Sequence, residues 1–209
     1  CDDLSVELPV FYLSPEAIAV FATPDHPAYG MGMFHRLPQT MNALNYMPES
    51  FRTGIGHDYD SHGPEGAVGI ERSFEPWNQN FLVPSVLPKL GSAYEMLKSG
   101  AKVADIGCGS GGAALLMGRT FPNSTFDGFD ISQFALDRAE ERKKNEGALN
   151  VSFYDPRTHA IAQDNSYDLI CTFDCIHDMT RPTDMMKTIR RALKDDGTWL
   201  LVDIKAHDS

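Results

Sequence analysis

The sequence predicts an α/β fold built on a doubly wound, mostly parallel sheet, and three observations point to it. From residue 101 onward, short apolar runs alternate with longer segments of helical spacing, the pattern of parallel strands joined by helices. The first run ends in a glycine-rich turn, VADIGCGSGG (103–112), that opens directly into a helix. The second ends on a carboxylate, Asp130 in FDGFDIS, the place from which such sheets hold a nucleoside sugar.

Each element can be justified in order. AKVADI (101–106) is a short apolar strand, and GGAALLMGRTF follows it as a helix. STFDGFDI is the second strand. SQFALDRAEERKKNEG then has a Ser132 cap, helical apolar spacing at Phe134, Leu136 and Ala139, and a Gly147 stop. NVSFY is the third strand and YDLICTF the fourth. TDMMKTIRRALKDDG is a helix predicted to end at Gly197, and TWLLVDI is the fifth strand. Ligands of such a sheet sit at the carboxyl ends of its strands.

The chain is expected to divide near residue 95, into segments 1–95 and 96–209. The upstream part is rich in Pro, Gly, Met and aromatic residues. Ser14-Pro15-Glu16 is a cap with proline at the first helical position. YGMGMFHRLPQTMNALNYM suggests one or two helices interrupted at Pro38. GIGHDYDSHGPEG (54–66) is a turn-rich, exposed loop. GAVGIERSFEPWNQNFLVPSVLPKL is expected to form short helices broken at Pro76, Pro84 and Pro88.

Composition excludes some function classes. The 18 basic against 29 acidic residues leave a net charge of −11, which argues against nucleic-acid and anionic-membrane partners. The densest basic run, Arg142-Lys143-Lys144, lies among Glu140, Glu141 and Glu146 and is expected to be a solvated face. Cys1, Cys108, Cys171 and Cys175 show no framework spacing and are expected to be reduced. No apolar run reaches membrane-spanning length and no leader peptide opens the chain, so a cytoplasmic protein is expected, with a homo-oligomer left open. The first residue is Cys rather than Met, so the start is not expected to be a natural translation start.

The glycine-rich turn fits G-x-G-x-x-G through Gly107, Gly109 and Gly112, and G-x-G-x-G through Gly107, Gly109 and Gly111. Either pattern alone suits many nucleotides. Asp105 discriminates between them. A carboxylate beside a pyrophosphate would repel it by roughly 1–4 kcal/mol at about 4 Å. The same carboxylate favours a ligand carrying an ammonium and a sulfonium, which is S-adenosylmethionine. Asp130 can accept from both ribose hydroxyls of any adenosine cofactor, whereas Asp127 falls inside the strand.

VADIGCGSGG, FDGFDIS, YDLICTFDCIHDM and LKDDGTWLLVD, in this order, resemble the successive motifs of class I S-adenosylmethionine-dependent methyltransferases over residues 101–205. FDCIHDM is also similar to a bacterial subgroup in which a winged-helix segment precedes the catalytic domain. The resemblance implies a Rossmann-like methyltransferase sheet, here ending after strand five where the family has two more strands, preceded by a helical lid or partial winged helix. It further implies that Asp105, Gly107 and Gly109 hold the methionine part, Asp130 the ribose, and Ile131 the adenine flank. Asp155 would meet the adenine amino group, and Asp174 would face the reacting methyl. The implied partner is a small-molecule methyl acceptor.

His177 stands with Asp174 and Asp178 after the fourth strand, where an imidazole could take a proton from a hydroxyl acceptor, or could simply fix the loop. No metal is expected from these three residues, nor from HDYDSH (57–62). Two other classes stay open beside methyl transfer: an NAD-dependent oxidoreductase, and a non-catalytic regulator that binds S-adenosylmethionine.

Overall fold

A computed structural model describes residues 10–205, so Cys1 lies outside the described residues. Five parallel strands form one sheet: β1 (Lys102–Ile106), β2 (Thr125–Phe129), β3 (Val151–Tyr154), β4 (Tyr167–Phe173) and β5 (Leu193–Val202), in the order β3-β2-β1-β4-β5. Alternation along the strands splits the core in two. Val103, Phe126, Leu169 and Cys171 face one side, where Ala114, Leu115 and Met117 cover them. Ala104, Phe129 and Ile170 face the other, against Ile189 and Ala192.

The helices between the strands are α6 (Gly112–Thr120), α7 (Gln133–Glu146) and α8 (Pro182–Ala192). Helix α7 begins and ends as its sequence predicts. The Ser132 hydroxyl accepts from the Ala135 amide at 3.2 Å, and Gly147 closes it in the left-handed conformation. Helix α8, by contrast, stops at Ala192 rather than Gly197. Leu193 turns extended and is buried with Ile189 and Tyr167, and the Lys194 ammonium reaches Asp168 at 2.6 Å. LKDDG therefore joins β5, with an irregularity where Tyr167 pairs Leu193 but Leu169 pairs Thr198.

Upstream of β1 the described residues are helical and carry no strand: α1 (Pro15–Phe21), α2 (Met31–Ala43), α3 (Met47–Thr53), α4 (Gly63–Trp77) and α5 (Ser92–Ser99). Pro38 does not interrupt α2. That helix lies tightly on α4, where a Cβ on Gly32 would meet Ser73 at 2.4 Å and one on Gly69 would meet Arg36 at 2.3 Å. This packing outweighs the single backbone bond that proline removes. Nor do Pro76, Pro84 and Pro88 break the chain. Gly63 to Leu90 is one helical run that widens to π turns at Asn78–Val86 and tightens to a 3-10 turn at Leu87–Leu90. Changing the turn re-partners the carbonyls that proline leaves, and burial of Leu82 and Leu87 against the sheet holds the run in place. The expected division near residue 95 falls within α5, whose Leu97 packs in the same core as Val103.

Charged side chains fasten α4 to α7. The Arg138 guanidinium is paired with Glu71, and that of Arg142 with Glu75 at 3.2 Å and Glu71 at 3.6 Å. Arg142 keeps only 16% of its side chain exposed and is no solvated face. Within the described residues, no helix is long and apolar enough to cross a membrane.

Candidate functional site

Strand order reverses between β1 and β4, and outside their carboxyl ends lies a cavity of about 680 Å³, a size that suits a small-molecule ligand. The turn after β1 lines it from the sheet side, and α4 with the 3-10 turn Tyr59–His62 lines it from the opposite side.

Alternation on β1 sends Asp105 to the same face as Val103, toward α6. Its side chain is 1% exposed, and neither carboxylate oxygen has a hydrogen-bond partner. Burial, with the charge of Asp130 adding to it, pushes its carboxyl up to about 7. A buried, unpartnered carboxylate on a cavity wall is costly in the absence of a donor or cation.

Asp130 is the opposite case. One of its oxygens accepts from the Gly109 amide at 2.7 Å and the other from the Ser132 amide at 2.8 Å. Burial raises its carboxyl, and these backbone donors oppose the rise.

Backbone constraints place the glycines. Gly107, Gly109 and Gly111 have φ of 75°, 54° and 76°, the left-handed region that glycine enters without strain. The Gly107 and Cys108 amides both donate to the Phe129 carbonyl, at 2.8 and 3.1 Å, tying the turn to the end of β2. A Cβ on Gly107 would meet Cys175 at 2.8 Å, and one on Gly111 would meet the Phe153 ring at 2.4 Å. Gly111→Ala is therefore expected to cost about 2 kcal/mol of stability, read from denaturant midpoints. A midpoint unchanged from the parent would show that Phe153 yields freely.

Ile131 is exposed along the cavity wall. Asp174 also lines the cavity, with φ of 52° and its amide donating to the Val202 carbonyl at 2.8 Å. Asp155 is not among the lining residues, although Pro156 is. Its carboxylate takes several hydrogen bonds from Arg157, which hold it below its ordinary pKa, and Arg157 also donates to the Ile131 carbonyl at 2.7 Å. His177 lies outside the lining as well. Its Nδ1 is 2.5 Å from Asp203 and its Nε2 3.4 Å from Asp178, and the bond to Asp203 raises its pKa. Donor atoms of Asp174, His177 and Asp203 all lie within 4.8 Å of one another, so Asp203 takes the place the sequence suggested for Asp178.

Several wall residues had no signal in a motif scan. Tyr59 and His62 belong to HDYDSH, which is largely exposed as expected but forms a 3-10 turn whose side chains line the cavity. Glu71, Phe74, Glu75 and Asn78 also line the cavity. Their separations of three and four residues (71/74, 71/75, 74/78, 75/78) mark one face of a helix and could have been read from the sequence. Ser110, 6% exposed, offers a hydroxyl without a partner.

Comparison with known proteins follows the geometry. A family model described as a methyltransferase domain matches residues 97–209. The chain is 27% identical over 100 residues to a malonyl-[acyl-carrier protein] O-methyltransferase of Paenibacillus sp. (strain JDR-2), covering 46% of this chain and 36% of that one. It is 30% identical over 115 residues to the methyltransferase GfsG of Streptomyces halstedii, covering 53% and 41%. The chain thus spans well under half of these curated relatives. A solved structure from Methanococcus maripaludis, described as an S-adenosyl-L-methionine-dependent methyltransferase, superposes with a TM-score of 0.57 at 16% identity over 69% of this chain and 65% of that one, which supports the fold. The match over residues 97–209 decides between the two cofactor classes, and this chain belongs to the methyltransferase-domain family, whose cofactor is S-adenosylmethionine.

Proposed function

We propose that this chain transfers a methyl group from S-adenosylmethionine to a small-molecule acceptor, with the helical segment upstream of β1 serving as a lid. The observation that carries this reading is Asp105, a buried carboxylate with both oxygens unpartnered on the cavity wall. It suits a cationic ligand and repels a pyrophosphate. Asp105, Gly107 and Gly109 would hold the methionine part, Asp130 the ribose diol and Ile131 the adenine flank. The Asp155–Arg157 pair would shape the adenine end by holding the Ile131 carbonyl. Asp174 would face the reacting end, where the bound cofactor supplies an electrophilic methyl on its sulfonium.

The protein's own contribution is alignment and exclusion of water. The α4 wall and the turn after β1 enclose the cavity between them, and Asp174, in its left-handed backbone, is among the residues that line it. His177 is assigned to fastening the turn after β4 onto Asp203 rather than to proton removal. It stands off the cavity, and its raised pKa favours the protonated form, which cannot act as a base.

Titration calorimetry with S-adenosylmethionine, S-adenosylhomocysteine and NAD tests the cofactor site, and preferential binding of NAD would overturn it. Asp130→Ala is expected to weaken S-adenosylhomocysteine by about 1.5–3 kcal/mol, since hydrogen bonds to a charged group are lost. An unchanged affinity would remove Asp130 from the ribose role.

A further inference from the structure

We infer that the methyl acceptor is a small amine that enters as its ammonium form, bound between the Asp174–Asp178 turn and the aromatic side chains of Tyr59, Phe74 and Phe173. The inference rests on the cofactor site proposed above and goes beyond it to the class of acceptor. It starts from the charge of the cavity wall. Eight lining side chains are carboxylates, whereas Arg181, exposed at the mouth, is the lone Lys or Arg among the lining residues described.

Some of these charges are already answered. Glu71 and Glu75 are paired with Arg138 and Arg142 on α7, and Asp184 approaches Lys187 at 3.8 Å. Among the described residues, Asp105, Asp130, Asp174 and Asp178 face no Lys or Arg within ion-pairing distance, and Asp178 has only the His177 ring, at 3.4 Å. S-adenosylmethionine carries a sulfonium and an ammonium against one carboxylate, a single net positive charge. It can balance Asp105 and leaves the Asp174–Asp178 end negative.

That end also carries aromatic faces. Tyr59 and Phe74 come from the lid, and Phe173 from the end of β4, where Trp77 packs against it at 5.9 Å. Burial, then the charge of Asp178, raises the Tyr59 phenol, with Asp130 and Asp174 adding to it and Arg36 opposing. Tyr59 is thus in the field of the same carboxylates and stays a neutral ring. Neutral aromatic faces beside carboxylates attract an organic ammonium. They repel a carboxylate or phosphate, and a neutral alcohol gains nothing from the charge.

The bonds balance as follows. The bound ammonium gives one proton to the Asp178 carboxylate, which passes it to solvent. The freed nitrogen lone pair forms a bond to the methyl carbon while the carbon–sulfur bond breaks, and that bond's electron pair stays on sulfur as a neutral thioether. The methylated nitrogen leaves as an ammonium, and the net by-product is one proton. No alkoxide has to be generated, which agrees with a cavity that His177 does not line.

Three probes of similar shape test the inference: 2-phenylethylamine, 2-phenylethanol and 3-phenylpropanoate. Each is titrated calorimetrically at pH 7.5 into the whole chain saturated with S-adenosylhomocysteine, and each is incubated with methyl-labelled S-adenosylmethionine. The amine is expected to bind at least tenfold tighter than the other two and to be the one labelled. Asp178→Asn is expected to lower the preference for the amine at least tenfold, with S-adenosylhomocysteine affinity within twofold of the parent. A preference for the alcohol or the acid, no binding or no preference among the three, or an amine preference untouched by Asp178→Asn would each overturn the inference. Failure of S-adenosylhomocysteine to bind at all would instead overturn the cofactor site, and this inference with it.

Discussion

Asp105→Asn is expected to stabilise the ligand-free protein while weakening its hold on S-adenosylmethionine. The Asp105 carboxyl titrates at about 7 in the fold, against 3.8 for an ordinary aspartate. The sign follows from proton binding. Between these two values the folded state holds a proton that the unfolded chain has lost, so stability falls as pH rises from about 4 to about 7 and is flat above. A shift of roughly three units corresponds to a cost on the order of 4 kcal/mol at pH 8. Asparagine removes the buried charge but still leaves an unpartnered amide, worth about 1–3 kcal/mol. The net gain expected at pH 8 is therefore about 1–3 kcal/mol, and near pH 4 it should vanish or reverse. Denaturant unfolding at the two pH values measures this, and equal effects at both would show that Asp105 is not buried as a charge.

The same substitution removes the attraction to a cationic ligand, so S-adenosylmethionine should bind more weakly by about 1–3 kcal/mol. In the parent protein the cation favours the ionised carboxylate. Affinity should therefore rise between about pH 5 and 7, a slope that Asp105→Asn should abolish. A parent affinity flat across that range would dissociate Asp105 from the ligand.

Arg142→Met is expected to cost about 2–4 kcal/mol, the second large effect. The side chains of Arg142 and Glu71 are only 16% and 13% exposed, so removing the guanidinium leaves Glu75 without its cation, and Glu71 with Arg138 alone, at a largely buried contact between α4 and α7. Stranding one member of a buried pair is costly, even though the intact pair itself contributes little net stability. The loss should concentrate at the junction of lid and sheet. Limited proteolysis around residues 54–62 should accelerate, while the Leu97 and Phe126 core keeps its protection from hydrogen exchange. A variant as stable as the parent would mean that apolar packing alone seats the lid.

The sheet was legible in the sequence because each of its signals is local. Alternating apolar runs, the Ser132 cap, the Gly147 stop and the glycines after β1 each act within a few residues. Asp105 and Asp130 were legible for the same reason, since strand ends put them at the crevice. What failed depended on distant partners. Pro38 stays helical because α2 lies against α4, and Leu193 leaves its helix because Ile189 and Tyr167 bury it. Arg142 seemed solvated until Glu71 and Glu75, nearly 70 residues away in sequence, proved to face it. His177 shows the same limit within the site, since its ring is engaged by Asp203 from beyond β5. Asp155 differs, because the Arg157 that holds it is only two residues on.

The bonds that join the turn after β1 to the end of β2 have a consequence for how binding is driven. The Gly107 and Cys108 amides share the Phe129 carbonyl, and the Gly109 amide holds Asp130, so bonds within the chain itself join the loop and its acidic partner into one unit. A ligand arriving there need not immobilise a wandering loop, and the entropy that such ordering normally consumes is already spent in folding. Association should accordingly be limited by entry past the lid rather than by assembly of the pocket floor, with a single fast kinetic phase and no slow rearrangement after it.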